Sequence, residues 1–418
     1  MKILFASNAS YGGYGYSIVA KNVMKGLRNL GHEVSNLSMQ TIGDSIKDEE
    51  GNMNFPHRYD AFLSDSITDM IQSYSADILV SLLDAWIPNY NSLVNGCIAL
   101  KIPWLFHVTV HSNNLFPLLN DRCSQATSLV APSRYGYTVL LNHGYRNANY
   151  IPHGFNPSLY YPMDKKDIKE EKGYKDKFLF LSVQRNRWDQ KNLHGMLIAY
   201  RDFLLSTREA AEKTKLLLLT DVHEPDNGMN IVNLRNIMGL NNNVEFLKVK
   251  LKDDTMEFTG ENDGEAINYN NNFRLREKEM CRLYNMADCL VTSSFGESFN
   301  LPCLESQACG VPQIFVNHTT STELVKDRKS GLLVDIMPEP QYNQNLREFY
   351  IMSRFSMASC MKKMFFDSEF REQCSRNAKL NLDQYKWENI IPLWNKLIQG
   401  VYENYYFTPN FSAGILGV

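Results

Sequence analysis

The 418-residue sequence lacks several features that mark particular classes of protein. No two of its eight cysteines have C-x-x-C spacing, which argues against zinc ribbons and thioredoxin-type chemistry and favours buried, reduced thiols. No apolar run approaches 18 residues, so we expect no membrane-spanning helix, and the short run ILFA near the start is not a signal peptide. The net charge is only −3, which argues against a protein that coats DNA or RNA.

Length and composition predict a globular protein of two domains. Apolar residues make up 44% of the chain and charged residues 21%, which is typical of a folded soluble chain. A chain of this length exceeds one ordinary core, and a proline-containing, charge-rich stretch interrupts it near its middle. We expect a first domain over 1–160, a linker over 161–177, a second domain over 178–395, and a C-terminal helix and tail over 396–418 that returns to the first domain.

Short apolar runs alternate with amphipathic helical patterns in both halves. KILFAS is followed by the helical pattern SIVAKNVMKGLRNLG, and FLFLSVQ by NLHGMLIAYRDFLLS. This alternation predicts an α/β protein with two Rossmann-like, doubly wound domains that face each other across a cleft. The tail from about Asn345 is predicted to be mostly helical. Ligands of such folds bind at the carboxyl ends of the strands, so we expect the site on loops that follow strands.

Three further segments give local predictions. The run 102–111 (IPWLFHVTVH) predicts a strand that carries His107 and His111 on one face, and His111 is the better candidate for substrate contact because it lies nearer the loop. The run 243–251 (NVEFLKVKL) predicts one strand. The polar stretch 252–272 predicts a long loop or insertion.

A glycine-rich loop, SNASYGGYGYS, precedes the first predicted helix. Gly13 and its neighbours allow close approach of a ligand to the backbone, and the helix N-terminus offers N–H groups to an anion. Ile18 stands where a dinucleotide fingerprint needs its third glycine, and the next strand does not end in an acidic residue. NAD and FAD are therefore disfavoured, and a tight turn without a ligand stays open as the alternative.

The segment SSFGESFNLPCLESQACGVP carries two glutamates at a predicted helix start. Glu297 and Glu305 would lie about 12 Å apart along a helix, so they can hold two ends of an elongated ligand. Between them, the N–H groups of Phe299, Asn300 and Leu301 suit a diphosphate. A sugar at one end and a ribose at the other would match this spacing. The alternative is that the acidic residues only stabilise the helix dipole.

A basic loop, SVQRNRWDQKNL, follows the first strand of the second half. Arg185, Arg187 and Lys191 can stabilise the charge that develops on a leaving diphosphate. Asp189 is a candidate ion partner for them. A solvated surface loop is the alternative.

Together these motifs resemble glycosyltransferase family 4, the glycosyl transferases group 1, which are retaining nucleotide-sugar enzymes of the GT-B type. FGESFNLPCLESQACGVPQI resembles the family's Glu-x7-Glu signature, G-E-G-F-G-L-P-x-x-E-A-M-A-x-G-x-P-V-I, except that Asn300 stands where glycine is usual. The other matching segments are GGYGYSIVAKNVMKGLRNLGHEV, VAPSRYGYTVLLNHG, YIPHGFNPSLYYP, SVQRNRWDQKNL, MCRLYNMADCLVTSS and TELVKDRKSGLLVD. The resemblance therefore runs in order from about residue 3 to residue 335.

The resemblance implies a role for each candidate residue. Glu297 would hold hydroxyls of the donor sugar and Glu305 those of the ribose, while Lys191 with either Arg185 or Arg187 would bind the diphosphate. The implied catalytic residues are Glu297, Lys191, Arg185 and His111, with His111 near the transferred sugar. The implied donor-binding residues are Gly13, Arg187, Phe299, Asn300, Leu301 and Glu305.

The resemblance also implies an activity. A sugar would move from a nucleotide-diphospho-sugar, a UDP- or GDP-sugar, to a hydroxyl of a glycan, lipid or small molecule, with retention and without a metal or further cofactor. We expect a cytoplasmic protein with no nucleic-acid partner and leave peripheral membrane contact open. The alternatives are a sugar-nucleotide epimerase of the same fold, a sugar phosphorylase, for which no pyridoxal-phosphate lysine motif is found, and an inactive nucleotide-sugar-binding scaffold. Intact Glu297, Glu305 and Lys191 argue against the scaffold.

Overall fold

The chain folds into two compact α/β units. The computed structural model describes the following residues: 1–87, 90–224, 227–252, 255–259 and 275–408. One unit comprises Met1–Gly154 together with Asp383–Val418, and the other comprises Phe155–Leu382. Each has its own parallel sheet and its own apolar core. The predicted α/β class, with doubly wound sheets and a helical C-terminus, is confirmed.

The first unit is built on an eight-stranded sheet. Its strands are β1 (Lys2–Ser7), β2 (Glu33–Ser38), β3 (Ile46–Lys47), β4 (Met53–Pro56), β5 (Ile78–Leu82), β6 (Trp104–His107), β7 (Ser128–Ala131) and β8 (Ala148–Tyr150). Their order is β3-β4-β2-β1-β5-β6-β7-β8, and β3 pairs antiparallel with β4 while the other pairs are parallel. Its helices are α1 (Gly15–Asn29), α2 (Ile67–Tyr74), α3 (Tyr90–Leu100), α4 (Pro117–Gln125), α5 (Arg134–Asn142) and the C-terminal α14 (Trp387–Phe407).

The first unit's sheet is covered on both faces, which explains the continuous apolar run of β1. Residues Ile3 to Ala6 of this strand are all fully buried, as expected of a strand inside a parallel sheet. Helix α14 packs against α1, where a β-carbon on Gly26 would collide with the Ile391 side chain. A β-carbon on Gly154 would likewise meet the Trp387 ring at 2.6 Å. Small residues at these positions therefore let the last helix pack closely against the rest of the unit.

The second unit is built on a six-stranded parallel sheet of order β11-β10-β9-β14-β15-β16. Its strands are β9 (Phe178–Val183), β10 (Thr214–Leu219), β11 (Val244–Phe246), β14 (Cys289–Val291), β15 (Gln313–Val316) and β16 (Gly331–Val334). Two antiparallel hairpins are made by β12 (Lys248–Lys252) with β13 (Thr255–Thr259) and by β17 (Gln341–Tyr342) with β18 (Glu348–Phe349). Its helices are α6 (Lys165–Glu171), α7 (Leu193–Leu205), α8 (Arg208–Lys213), α9 (Ile231–Ile237), α10 (Glu277–Met286), α11 (Leu301–Ala308), α12 (Arg354–Phe366) and α13 (Ser368–Ala378).

Two strand predictions are wrong, and two further predictions hold only in part. The strand predicted over 102–111 ends at His107. The Val108 N–H still donates a hydrogen bond to the Val130 carbonyl of the neighbouring strand β7, and the chain leaves the sheet after it. The strand predicted over 243–251 is two strands: β11 belongs to the sheet, and β12 turns away into a hairpin with β13. The long loop predicted over 252–272 therefore contains β13, and its remainder from 260 lies outside the described residues. The tail begins with a hairpin, and its first helix starts only at Arg354.

The cysteines are free, as expected, and all but Cys360 are buried. In the described part of the chain, no helix is long and apolar enough to cross a bilayer. The same residues contain no group of three or more His, Cys, Asp or Glu side chains arranged to hold a metal ion.

Candidate active site

The candidate site of the second unit lies where its strand order reverses. From β9 the chain proceeds outward to β10 and β11, and from β14 it proceeds outward in the other direction to β15 and β16. Strands β9 and β14 are neighbours, so the loops 184–192 and 292–300 that follow them meet at the carboxyl edge of the sheet. This is the position at which doubly wound sheets bind ligands. The predicted residues of this unit lie on these two loops and on helix α11.

An ion pair joins the two loops. The Lys191 ammonium lies 2.6 Å from Oε1 of Glu297, and both side chains are about 15% exposed. The Ser294 hydroxyl donates a hydrogen bond to the same carboxylate oxygen, and the Glu297 N–H donates to the Thr319 hydroxyl at 3.0 Å. Partly buried charges need such additional hydrogen bonds to offset their lost hydration. The Lys191 ammonium and the Glu297 carboxylate, both predicted to contact a sugar donor, are therefore held in contact with each other in fixed positions.

Main-chain hydrogen bonds also connect these loops. The Gln190 carbonyl accepts from the Phe295 N–H at 2.9 Å, and the Lys191 carbonyl accepts from the Ser293 hydroxyl at 2.7 Å. The backbone that carries Lys191 is thus anchored to the loop that carries Glu297.

The two arginines of the basic loop have different partners. Arg185 makes two hydrogen bonds, of 2.7 and 2.8 Å, to Glu224, whose carboxylate is almost fully buried in the loop after β10. Arg187 pairs at 3.1 Å with Asp189, the candidate ion partner for the three cations of this loop. Arg187 is thus paired with a residue of its own loop, while Arg185 is paired with a residue of the loop after β10.

Helix α11 begins at a residue with left-handed backbone conformation. Asn300 has φ of +81°, and its side chain accepts a hydrogen bond from the Cys303 N–H at 3.2 Å. Glycine and asparagine are the residues that adopt this conformation most readily, which explains why asparagine can replace the glycine of the family signature. The preceding carbonyl, that of Phe299, accepts from the Thr320 hydroxyl at 2.8 Å. The loop therefore enters the helix in one defined geometry, with its first N–H groups at the carboxyl edge of the sheet.

Glu305 lies inside α11 and is buried. The Tyr284 hydroxyl donates a hydrogen bond to its Oε2 at 2.8 Å. Burial raises the pKa of Glu305 to about 7, an increase that hydrogen bonds from Tyr284 and Tyr160 oppose and the charge of Glu277 enhances. A buried carboxyl group with a raised pKa is a candidate functional residue.

Two predicted residues, Gly13 and His111, belong to the first unit. Gly13 lies exposed in the loop between β1 and α1, and His111 lies four residues beyond the end of β6. His107 is instead fully buried, with Nε2 3.0 Å from Nε2 of His153 and its ring stacked on Trp394. Burial lowers the pKa of His107 to about 4. His107 is therefore part of the core, and a substrate contact by His111 stays a prediction.

A polar cluster at the carboxyl edge of the first sheet was missed. The Tyr16 hydroxyl donates to Oδ1 of Asp84 at 2.8 Å, and the Trp86 indole donates to Oδ2 at 3.0 Å. Asp84 follows β5, which neighbours β1, so this cluster marks the point where the first sheet's strand order reverses. Its sequence signal is an aspartate two residues after the apolar run ILVSL.

Comparison with known families and sequences gives a match in the second unit. Residues 267–380 match the family model of the glycosyl transferases group 1. A D-inositol 3-phosphate glycosyltransferase of Paenarthrobacter aurescens is 27% identical over 110 residues, which is 26% of this chain and 23% of that protein. A protein of the same name from Salinispora arenicola is 43% identical over 53 residues, or 13% of this chain and 12% of the relative. The chain thus aligns with about a quarter or less of the length of these relatives.

Solved structures match over nearly the whole chain. The Anabaena HepE structure in complex with UDP-glucose has a TM-score of 0.71 at 15% identity, covering 96% of this chain and 100% of HepE. Sucrose-phosphate synthase from Thermosynechococcus elongatus has a TM-score of 0.71 at 15% identity, covering 96% and 99%. At this identity the likeness shows the fold, which is that of the GT-B glycosyltransferases. The family match over residues 267–380 and the GT-B fold agree with the resemblance of this chain to the glycosyl transferases group 1, glycosyltransferase family 4.

Proposed function

We propose that this protein is a glycosyltransferase that moves a sugar from a nucleotide-diphospho-sugar to an acceptor hydroxyl with retention of configuration. The observation that carries the proposal is the Lys191–Glu297 ion pair, located directly before helix α11 at the reversal point of the second sheet. Structures of HepE with UDP and with UDP-glucose support a nucleotide-sugar donor. The curated relatives are glycosyltransferases by name, which supports the reaction class.

The donor would extend along α11 from its N-terminus. The diphosphate would lie at the N–H groups of Phe299, Asn300 and Leu301, where the helix dipole favours negative charge. Glu297 would accept hydrogen bonds from sugar hydroxyls, and Glu305 from the ribose. This order places each carboxylate opposite hydroxyl donors and keeps the anionic diphosphate at the electropositive helix end.

We assign the diphosphate to Lys191 with Arg187 rather than with Arg185. Arg185 is held by two hydrogen bonds to the buried carboxylate of Glu224, and both would have to break for it to turn to a diphosphate. Arg187 is bound by the more accessible Asp189, whose side chain is 22% exposed. The roles implied for Gly13 and His111 stay predictions.

In the proposed mechanism the leaving diphosphate acts as the base. The bond between the anomeric carbon and the phosphate oxygen breaks, and the acceptor oxygen forms its bond to the same face of that carbon. The acceptor's proton passes to the departing phosphate oxygen. The Lys191 ammonium, which is paired with Glu297, would also contact the diphosphate. It would stabilise the negative charge that develops on the departing oxygen. Glu297 binds a sugar hydroxyl in this mechanism and forms no covalent bond to the sugar.

Transfer with retention is the first expected outcome. The protein is incubated with UDP-, GDP- and ADP-sugars and a panel of glycan, lipid and inositol phosphate acceptors, and the anomeric proton coupling of any product is measured by NMR. We expect the product to keep the donor's anomeric configuration, because acceptor and leaving group share one face. An inverted coupling would exclude the front-face mechanism. Binding of a nucleotide-sugar without transfer or hydrolysis would favour the inactive scaffold.

Independence of divalent metals is the second expected outcome. Lys191, Arg187 and the N-terminus of α11 would together neutralise the diphosphate, and the sequence contains no Asp-x-Asp motif. We therefore expect the rate of transfer to be unchanged in excess EDTA. Loss of transfer in EDTA that manganese restores would show that this assignment of charge is wrong.

A further inference from the structure

A short hairpin lies between the last strand of the second sheet and helix α12. It is formed by β17 and β18 and closed at its base by an antiparallel bridge between Ile336 and Met352. At its tip the Asn343 side chain accepts hydrogen bonds from the N–H groups of Asn345 and Arg347, both at 3.0 Å. The Asn343 N–H in turn donates to the Arg347 carbonyl at 3.1 Å. The backbone of Arg347 is therefore fixed by the turn itself.

The hairpin contacts both loops of the candidate active site. The Arg347 guanidinium donates a hydrogen bond to the main-chain carbonyl of Asp189 at 2.8 Å. The Phe349 ring packs on Phe295 with centroids 4.8 Å apart, and Phe295 is two residues before Glu297. Arg347 is thus joined to the basic loop and Phe349 to the glutamate loop.

Three consecutive main-chain carbonyls of the basic loop each accept a hydrogen bond. Asp189 accepts from Arg347, Gln190 from the Phe295 N–H, and Lys191 from the Ser293 hydroxyl. The last two bonds come from the neighbouring site loop, whereas the first comes from a hairpin 158 residues away in sequence. We propose that Arg347 is a positioning residue for the donor, which holds the basic loop through the Asp189 carbonyl so that Lys191 and Arg187 face the diphosphate.

The charges around Arg347 agree with this placement. Burial lowers the pKa of its guanidinium, Asp189 and Glu297 raise it, and Arg187 lowers it further. An arginine always remains charged in a protein, so these shifts do not change its protonation state. They show instead which charged side chains lie near the guanidinium. Arg347 therefore lies within electrostatic reach of both the ion partner of Arg187 and the carboxylate predicted to bind the sugar.

This inference rests on the proposed function, and its test separates the two. Three variants separate the contributions of the apolar stem, the hydrogen-bond donor and the charge of Arg347. Arg347→Met keeps only the stem, Arg347→Gln keeps the stem and a donor, and Arg347→Lys keeps the stem, a donor and the charge. Hydrogen exchange of the segment 185–192 is measured without any ligand, followed by calorimetric binding of UDP and by donor KM and kcat. Arg208→Ala is the control, because the Arg208 side chain is 91% exposed and forms an ion pair with Glu212, four residues away and far in sequence from the site loops.

We expect Arg347→Met to accelerate exchange of 185–192 and to raise the Kd for UDP and the donor KM about tenfold, the size of one lost hydrogen bond to a charged group. Arg347→Gln and Arg347→Lys should restore most of the exchange protection and most of the affinity for UDP and the donor. Arg208→Ala should match the wild type. Unchanged exchange and binding in Arg347→Met would overturn the inference while leaving the proposed function intact. Restoration by lysine but not by glutamine would also overturn it, because charge would then act instead of the hydrogen bond. Wild-type protein that binds no nucleotide would instead contradict the proposed function.

Discussion

Replacing Lys191 by alanine is expected to lower kcat by about 10²–10³ while changing the donor KM far less. The lysine is paired with Glu297, so its charge is already partly neutralised before the diphosphate begins to leave. During transfer the departing diphosphate gains negative charge, and a fixed ammonium stabilises that charge more than it stabilises the bound donor. Steady-state kinetics at saturating acceptor would measure the two constants separately.

The chain offers a matched control for this experiment. Lys215 forms an ion pair of 2.7 Å with Glu245, and their side chains are 19% and 9% exposed, close to the values of the Lys191–Glu297 pair. Lys215 lies near the start of β10, at the opposite end of the strand from the site loops, so Lys215→Ala should lower stability without lowering kcat. Equal kcat values for the two variants would contradict the role of Lys191. Thermal unfolding of both variants would show how much each lost ion pair contributes to stability.

The local part of the site could be predicted from the sequence. Loops that follow parallel strands converge on one edge, so an apolar run followed by Lys191 and another followed by Glu297 predict proximity without any knowledge of contacts. Helix α11 could also be predicted, because its signals lie within one short segment. Pro302 lies in the first turn, where proline is tolerated, and Glu305 follows on the buried part of the helix. Asn300 adds a positive φ that its residue type readily adopts.

The distant contacts of the site could not be predicted. The pairing of Arg185 with Glu224 links two loops 39 residues apart, and that of Arg347 with Asp189 spans 158 residues. A single sequence has no periodicity that encodes such pairs. Arg347 falls at the start of the tail that is predicted, from about Asn345, to be mostly helical, whereas in the structure it lies in the hairpin of β17 and β18. The helical prediction therefore gives no reason to single out Arg347.

Glu305 provides the second large effect, a pH dependence of nucleotide binding. Burial raises the pKa of its carboxyl group to about 7. Ribose hydroxyls that donate to it favour the ionised form, so below pH 7 binding must first remove a proton, and above pH 7 it need not. Affinity for UDP should therefore rise as the pH increases from 5.5 to 7 and level off above it. The limiting slope is about tenfold per pH unit, since one unit corresponds to about 1.4 kcal/mol.

Glu305→Gln should remove this dependence and weaken binding at pH 8 by about 2–3 kcal/mol, because hydrogen bonds to a charged group contribute roughly 1.5–3 kcal/mol each and a neutral amide recovers only part of that. Calorimetry of wild type and variant across the same pH series cancels the titration of UDP itself, which both proteins share. Glu245→Gln is the matched control, because Glu245 is also buried and also accepts a hydrogen bond from a tyrosine, Tyr174, yet lies in the edge strand β11. That variant should keep the wild-type profile. Parallel pH profiles for wild type and Glu305→Gln would show that Glu305 does not contact the ribose, and its raised pKa would then reflect burial in the core alone.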